Sequence, residues 1–519
     1  MRLTEWTNVL RGGAVLVFAV AVISIHGQST SSGLNQQWPV AGQNLSDTRS
    51  QPSETTISPS NAAALKPKWV FTTGGSVSAT PTVAGNEVYF PDWAGNLYAV
   101  DKNTGAQIWS AKVSSYTGVA GDLSRTSPAV YGNLLVFGDN QANLGIHNGA
   151  NEIAVDRFTG ARVWVTQIDA HVAAVVTGSA ATYNGLVYQG VSSNEENLAT
   201  QASYPCCTFR GSMVALNLRS GQIVWKTYDM PENGGVPGGY SGGAIWQPPV
   251  VDTARGVVSV GTGNNYTVPA AVSQCQAANP QATNCTAAND YFESVLALDL
   301  HSGAVHWSRR LAGYDAWTVA CLSSPTAANC PSPAGPDWDL GGSGGNLLSK
   351  LVGFGQKSGI YWALNPANGS VLWGTPVGPG GTLGGIEWGT ATDGQRIYVA
   401  ISDSLHTPYT LKSGQTITWG SWSALDLNGN ILWQTPDPTA GAIDMGAVSV
   451  ANGVVYTDSI TGYMYALDAA TGKILWSFNS GGTVVDGPSI VDGVVYWGSG
   501  FPNAGGTVNN KVYAFSVRD

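Results

Sequence analysis

Ala99-Val100-Asp101-Lys102-Asn103-Thr104-Gly105-Ala106-Gln107-Ile108-Trp109 is the stretch on which the fold turns. Apolar residues run into an Asp, a Thr-Gly pair makes a tight turn, and apolar residues resume and end in Trp. That is a hairpin between two strands. The phrase returns from Ala154 to Trp164, Ala215 to Trp225, Ala297 to Trp307, Ala363 to Trp373, Ala424 to Trp433 and Ala466 to Trp476, always with Thr, Ser or Asn before the turn glycine. Further strand pairs, such as Gly453-Val454-Val455-Tyr456, lie between the copies. Each repeat therefore supplies about four strands, as a propeller blade does. Trp69 ends a copy that has no start, and Val512-Tyr513-Ala514-Phe515 starts one that has no end. Joined, they make an eighth blade. The expected fold is all-β: an eight-bladed β-propeller over 61–519, closed by N- and C-terminal strands, which removes open sheet edges. The Trp residues of the phrase are expected to pack between blades.

The 519-residue chain holds 66 Gly and 19 Trp with only 11% charged residues, which suits a turn-rich β protein and excludes a disordered chain. Its net charge of −10, with no basic aromatic groove, argues against a nucleic-acid partner. Arg2 and Arg11 precede a short apolar run, Ala14 to Ile25, so residues 1–27 read as a signal peptide, with a retained anchor as the alternative. Residues 28–60 read as an extended polar lead-in. No other stretch is apolar and long enough to span a bilayer, so a periplasmic or secreted protein is expected.

Six cysteines suit that compartment. Local spacing favours Cys275 with Cys285 and Cys321 with Cys330. Cys206 and Cys207 are adjacent; a bond between them works against the usual Cα separation, and two buried thiols are the alternative.

Spacing between copies is longest from Trp225 to Trp307, and the extra length must form loops at one face of the ring, where binding residues concentrate. In this interval Gly242-Gly243-Ala244-Ile245-Trp246 delivers a large aromatic to a strand end, and Gly261-Thr262-Gly263-Asn264 delivers an amide oxygen. Glycine permits positive φ and close backbone approach. Glu195, in Ser192-Ser193-Asn194-Glu195-Glu196, offers a hard oxygen at another strand end. Asp337-Trp338-Asp339 holds carboxylates at alternate positions, and Lys357 is a cation at a turn. One Glu, one Asn and one Asp suit Ca²⁺. The histidines show no ligand spacing, and neither HExxH nor CxxCH occurs, which argues against zinc and covalent haem.

The repeat phrase resembles the blade motif of the pyrroloquinoline quinone (PQQ) dependent dehydrogenases over roughly residues 37–519, and within them the polyvinyl alcohol dehydrogenase group. Trp38-Pro-Val-Ala-Gly-Gln-Asn, Pro91-Asp-Trp-Ala-Gly-Asn-Leu-Tyr, Cys206-Cys-Thr-Phe-Arg-Gly and Gly385-Ile-Glu-Trp388-Gly carry the closer likeness. The resemblance implies that Trp246 stacks under the quinone ring and that Glu195, Asn264 and Asp339 hold Ca²⁺. Asp339 is then also the general base, with Asp337 and Asp315 as the other candidates. Ser192, Arg125, Thr177 and Trp388 would contact the cofactor, and Lys357 would lie near its carbonyls. Gly341, where the lanthanide branch carries an Asp, implies calcium. The family's adjacent cysteines precede the position matched by Arg125, whereas here Cys206-Cys207 lies on another blade; the pair is expected over the opposite face of PQQ from Trp246.

The implied activity is oxidation of secondary alcohols, including polymeric ones, with electrons passing to a separate carrier such as a soluble cytochrome c. The competing readings are a non-enzymatic propeller that scaffolds envelope proteins and a small-molecule sensor without turnover. A scaffold has no need for Trp246, Glu195, Asn264, Asp339 and Lys357 together.

Overall fold

The computed structural model describes residues 36–141, 145–340, 342 and 344–518. The expected signal segment 1–27, the first part of the lead-in and Gly341 lie outside these residues. The seven complete phrases become the outer hairpins of blades 1 to 7; each of the eight blades holds four antiparallel strands, and blades 3 and 7 each carry one strand more. Blade 1, for example, runs Thr82–Ala84, Glu87–Pro91, Asn96–Asp101 and Gln107–Lys112. Blades 2 to 7 follow in chain order, with first strands at Ala129–Tyr131, Ala181–Tyr183, Val250–Asp252, Gly345–Leu347, Ala391–Thr392 and Ser449–Ala451. Blade 8 takes Ser489–Val491, Val494–Ser499 and Lys511–Ser516 from the C-terminal end and Lys66–Thr72 from the N-terminal end. Trp69 faces Ala514 in that shared pairing, so the two sequence fragments do form the outer strand pair of one blade.

The recurring residues have recurring physical roles. Asp101 accepts the backbone N–H groups of Asn103 and Thr104 and the Thr104 hydroxyl, which folds the turn. Gly105 has a φ of +71°, and a Cβ there would stand 2.8 Å from the ring of Trp69 on the preceding blade. Trp69 in turn donates its indole N–H to Lys102 O at 3.0 Å. The same step repeats round the ring: Trp109 donates to Arg157, Trp164 to Leu218, Trp225 to Leu300, Trp307 to Pro366, Trp373 to Leu427 and Trp433 to Ala469. Trp476 closes the circle by donating to Leu65 O at 2.9 Å. Trp69, Trp109, Trp164, Trp225, Trp307, Trp373 and Trp433 each cover a turn glycine of the next blade and satisfy one of its carbonyls, while Trp476 makes only the carbonyl contact.

Residues 36–60 do more than lead into the ring. Trp38 pairs with Val83 of blade 1, and Pro39 O accepts Val130 N–H of blade 2. Leu45, Ser46, Thr48 and Arg49 accept in turn from first strands of blades 4, 5, 6 and 7 through Val251, Leu347, Thr392 and Val450. Ser50–Gln51 then adds a parallel strand to blade 7, and Gln51 Nε2 donates to Ile490 O of blade 8 at 3.2 Å. The segment therefore circles the axis in blade order. Arg49, buried at its centre, gives its donors to Val448 O, Ala41 O, Thr80, Ser449 and Asp486 O.

Candidate active site

In an antiparallel four-stranded blade, the link from strand 2 to strand 3 and the link from strand 4 to the next blade leave from the same end. Side chains on both links converge there on one cavity of about 400 Å³. Arg125, Thr177, Trp246, Asp337, Asp339, Trp388 and Met445 come from segments just ahead of first strands. Ser192 comes from the end of the second strand of blade 3, and Glu196, Asn264, Lys357 and Phe501 come from the 2–3 links.

Gly242 and Gly243 carry φ of +114° and +68°, which sets the chain leading to Trp246 as the sequence suggested. Trp246 is half-buried, so part of its ring faces the cavity. Gly342 lies against the ring: a Cβ there would fall 2.1 Å from its Cη2. Trp388 meets Trp246 edge-on, with centroids 5.0 Å apart and planes at 78°. Arg125 lies over Trp388 at 4.9 Å; it is half-buried, and desolvation lowers its pKa to about 10 although Glu387 opposes the shift.

Lys357 Nζ lies 3.0 Å from Asp339 Oδ2, 3.1 Å from Asp337 Oδ1 and 5.4 Å from the centre of the Trp246 ring. Burial opposes its charge, but Asp337 and Asp339 outweigh that and hold its pKa well above the ordinary range. Asp339 Oδ1 accepts the backbone N–H of Asn264 at 2.8 Å. Asn264 donates both amide hydrogens, to Asn265 O and Trp317 O at 2.9 Å, which leaves its Oδ1 as the acceptor. Asp315 accepts the N–H groups of Asp337 at 3.2 Å and Trp338 at 2.8 Å, tying together the two ends of the loop that carries the Cys321–Cys330 bond. That loop lends Trp317, Val319 and Leu322 to the cavity wall; Asp315 itself does not line it.

Glu195 is not in the cavity. It is fully buried, and its carboxylate accepts the backbone N–H groups of Thr208 and Phe209 at 2.8 Å and the Tyr204 hydroxyl at 3.0 Å. Glu196, one residue on in the helical turn Glu195–Leu198, lines the cavity instead. Consecutive helical residues point about 100° apart, so a site reading based on spacing cannot tell these two acids apart. Glu196 Oε1 and Glu387 Oε2 are buried without hydrogen-bond partners among the described residues. Burial raises Glu196 to about 8 against the pull of Lys357, and raises Glu387 to about 7.

Arg125, Thr177, Ser192, Trp246, Asn264, Asp339, Lys357 and Trp388 therefore meet in one cavity, while Glu195, Cys206 and Cys207 do not line it. The two cysteines are bonded to each other, as are Cys275 and Cys285. Cys207 packs in the core with Phe209 and Tyr266, in a cluster against which Cys206 and Trp246 also pack. Glu196 and Glu387 are the residues that sequence reasoning missed, although Glu387 sits beside Trp388 in a quoted motif. The donor set fits the expected groups. Four carboxyls face Lys357 and Arg125; burial holds Glu196 and Glu387 toward their protonated forms, and a divalent cation would favour their ionised forms. The unpartnered oxygens of Glu196 and Glu387 are what such an ion would satisfy. The ring of Trp246 offers a flat apolar face to a planar cofactor.

Comparison with known proteins accords with this geometry. Residues 38–375 match the glucose/ethanol/alcohol dehydrogenase β-propeller domain family, and residues 420–519 match the outer membrane protein assembly factor BamB family. The chain is 32% identical to a polyvinylalcohol dehydrogenase of Sphingopyxis sp. (strain 113P3), over 87% of this chain and 72% of that one. It is 30% identical to a polyvinylalcohol dehydrogenase of Pseudomonas sp., over 93% of this chain and 77% of the relative. The quinohemoprotein alcohol dehydrogenase of Comamonas testosteroni shares the fold, with a TM-score of 0.68 at 20% identity, over 93% of this chain and 80% of that chain.

Proposed function

The chain belongs to the glucose/ethanol/alcohol dehydrogenase β-propeller family, and from that premise we propose that it oxidises secondary alcohols, polymeric ones such as polyvinyl alcohol included, with PQQ and Ca²⁺ in the cavity over Trp246. It is an alcohol dehydrogenase of the quinoprotein kind. The substrate range, the metal and the cytochrome c that would take the electrons belong to the proposal, as does a periplasmic or secreted location. Three disulfides support that location. Among the described residues no helix is long and apolar enough to cross a membrane.

The observation that carries the reading is the joint placement of Asp339, Lys357, Asn264, Glu196 and Trp246 on one cavity. In place of Glu195, Glu196 joins Asn264 Oδ1 and Asp339 as the set that would hold Ca²⁺. Trp246 would support the planar cofactor from one side, and Arg125, Thr177 and Ser192 would contact its polar rim. When bound, PQQ supplies the two-electron acceptor and Ca²⁺ the Lewis acid beside it. Asp339 is the general base that receives the alcohol O–H proton. Its Oδ1 is oriented by Asn264 N–H and its Oδ2 by Lys357, so the carboxylate is aimed before substrate arrives. Lys357 stays charged and stabilises negative charge that grows beside it. Trp317, Val319 and the exposed Leu322 form an apolar wall that suits the carbon backbone of a polymer.

The test is reconstitution of the purified chain with PQQ and Ca²⁺, following dye reduction with polyvinyl alcohol and small secondary alcohols beside Asp339→Ala. Turnover that needs both additions and is lost in the variant supports the reading. Tight PQQ binding without turnover moves the substrate assignment. Absence of PQQ binding removes the cofactor assignment.

A further inference from the structure

On the ribbon formed by Asp122–Leu123 and Asn140–Gln141, between blades 1 and 3, three buried side chains meet that the alcohol-oxidising cavity does not use. One ligand atom from each of Asp122, Asp139 and His147 lies within 4.8 Å of the other two. His147 Nε2 is 2.7 Å from Asp122 Oδ1 and 3.9 Å from Asp139 Oδ2. Its other nitrogen, Nδ1, is 3.3 Å from Ala174 O. A carbonyl only accepts, so Nδ1 carries the proton, and a neutral imidazole then turns the lone pair of Nε2 toward two carboxylates. That arrangement is repulsive unless Nε2 takes a second proton or a cation lies between them. An imidazole whose N–H is held by a backbone carbonyl while its other nitrogen faces carboxylates is also how proteins present histidine to a metal.

The surroundings favour a metal over a mere hydrogen-bond network. Asp139 is oriented by the N–H and side-chain amide of Asn151, at 2.6 Å and 2.5 Å, and Asp122 by the Thr117 hydroxyl. Glu152, fully buried on the strand beside Asp139, has no hydrogen-bond partner for either oxygen among the described residues. Asp122 and His147 also line a cavity of about 420 Å³ together with Gln141 and Asn148, so an ion has an entry path and room for a water ligand.

We propose that Asp122, Asp139 and His147 bind a divalent transition-metal cation of the Zn²⁺ class. One imidazole nitrogen and two carboxylate oxygens, with a further position toward the cavity, make an N/O donor set of the kind that zinc takes and that Ca²⁺, which prefers oxygen alone, does not need. The ion would clamp the segments that carry two contacts of the oxidising cavity. Arg125 follows Asp122 by three residues, and Asn140 Nδ2 donates to Val176 O and to the Thr177 hydroxyl. The site is thus separate from the Ca²⁺ assignment, whose residues lie on other blades.

The test uses the full chain carrying Glu196→Gln and Asp339→Asn, so that the oxidising cavity does not compete for metal. After chelator treatment, Co²⁺ is titrated and followed by visible d–d absorption, with Zn²⁺ as the displacing ion. One equivalent should bind, be displaced by Zn²⁺, and lose affinity by at least about 100-fold in His147→Gln and in the near-isosteric Asp122→Asn. Circular dichroism establishes that the variants are folded. No Co²⁺ signal in the folded parent, or a signal that both variants retain, overturns the proposal and leaves a doubly protonated imidazole between two aspartates.

Discussion

Glu195 and Glu196 are neighbours with opposite surroundings: the carboxylate of Glu195 is held by the N–H groups of Thr208 and Phe209, while that of Glu196 opens into the cavity with Oε1 unpartnered. Substitution separates the two roles. Glu196→Gln should leave the fold intact and abolish Ca²⁺-dependent turnover. Glu195→Gln should retain some reconstituted activity but lose about 1–3 kcal/mol of stability, because an amide donor would face backbone donors. Calorimetry and dye-linked assays on the two variants check this. Equal loss of activity at equal stability would return Glu195 to the site.

Asp339 and Asp315 divide along the same line. Asp339→Asn should keep PQQ binding, read by quenching of tryptophan fluorescence, and reduce kcat by about 10²–10⁴-fold. Asp315→Asn disturbs only the carboxylate oxygens that accept the N–H groups of Asp337 and Trp338, so its loss in kcat should be at least about tenfold smaller, roughly on the scale of a single positioning contact. Steady-state kinetics on the two variants distinguishes base from positioning residue.

Gly342 offers a test that leaves every polar group in place. Its added Cβ in Gly342→Ala would stand 2.1 Å from Trp246 Cη2, so the ring must tilt. PQQ affinity should fall by roughly tenfold, the order expected for disturbed aromatic stacking, while Ca²⁺ binding by the apoprotein stays unchanged. Unchanged PQQ affinity would mean that the cofactor does not lie on this ring.

The buried lead-in gives the protein a pH dependence unrelated to turnover. Burial raises Asp47 from 3.8 to about 7, against the field of Arg49. The folded chain therefore keeps a proton that the unfolded chain releases above 3.8. Stability falls as pH rises through this window and levels off above about 7. Three pH units correspond to roughly 4 kcal/mol. Asn resembles the protonated acid and cannot ionise, so Asp47→Asn should melt close to the parent at about pH 4, where the window opens, and above it at about pH 9. Thermal melts across that range read the difference; identical slopes would show that Asp47 does not titrate.

The sequence by itself was enough for the propeller. Its repeat is local: Asp, Thr and Gly fold the turn within a few residues, and each Trp answers to the next copy of the same phrase. Closure of the ring followed from one unfinished copy at each end. Much of the cavity was legible for a related reason, since Gly242-Gly243 and the long inter-repeat loops mark where backbone is bent toward a ligand. Tertiary structure alone decided the rest. Which of Glu195 and Glu196 faces the cavity depends on backbone donors at Thr208 and Phe209. Whether Cys206-Cys207 reaches the cavity depends on packing against Phe209 and Tyr266. His147 meets Asp122 and Asp139 through a ribbon pairing that no spacing motif encodes, and residues 36–51 circle the axis only because eight first strands surround it. Local turns are specified by the residues that make them. The direction a side chain faces at the end of a blade is specified by whichever distant backbone groups still need a partner.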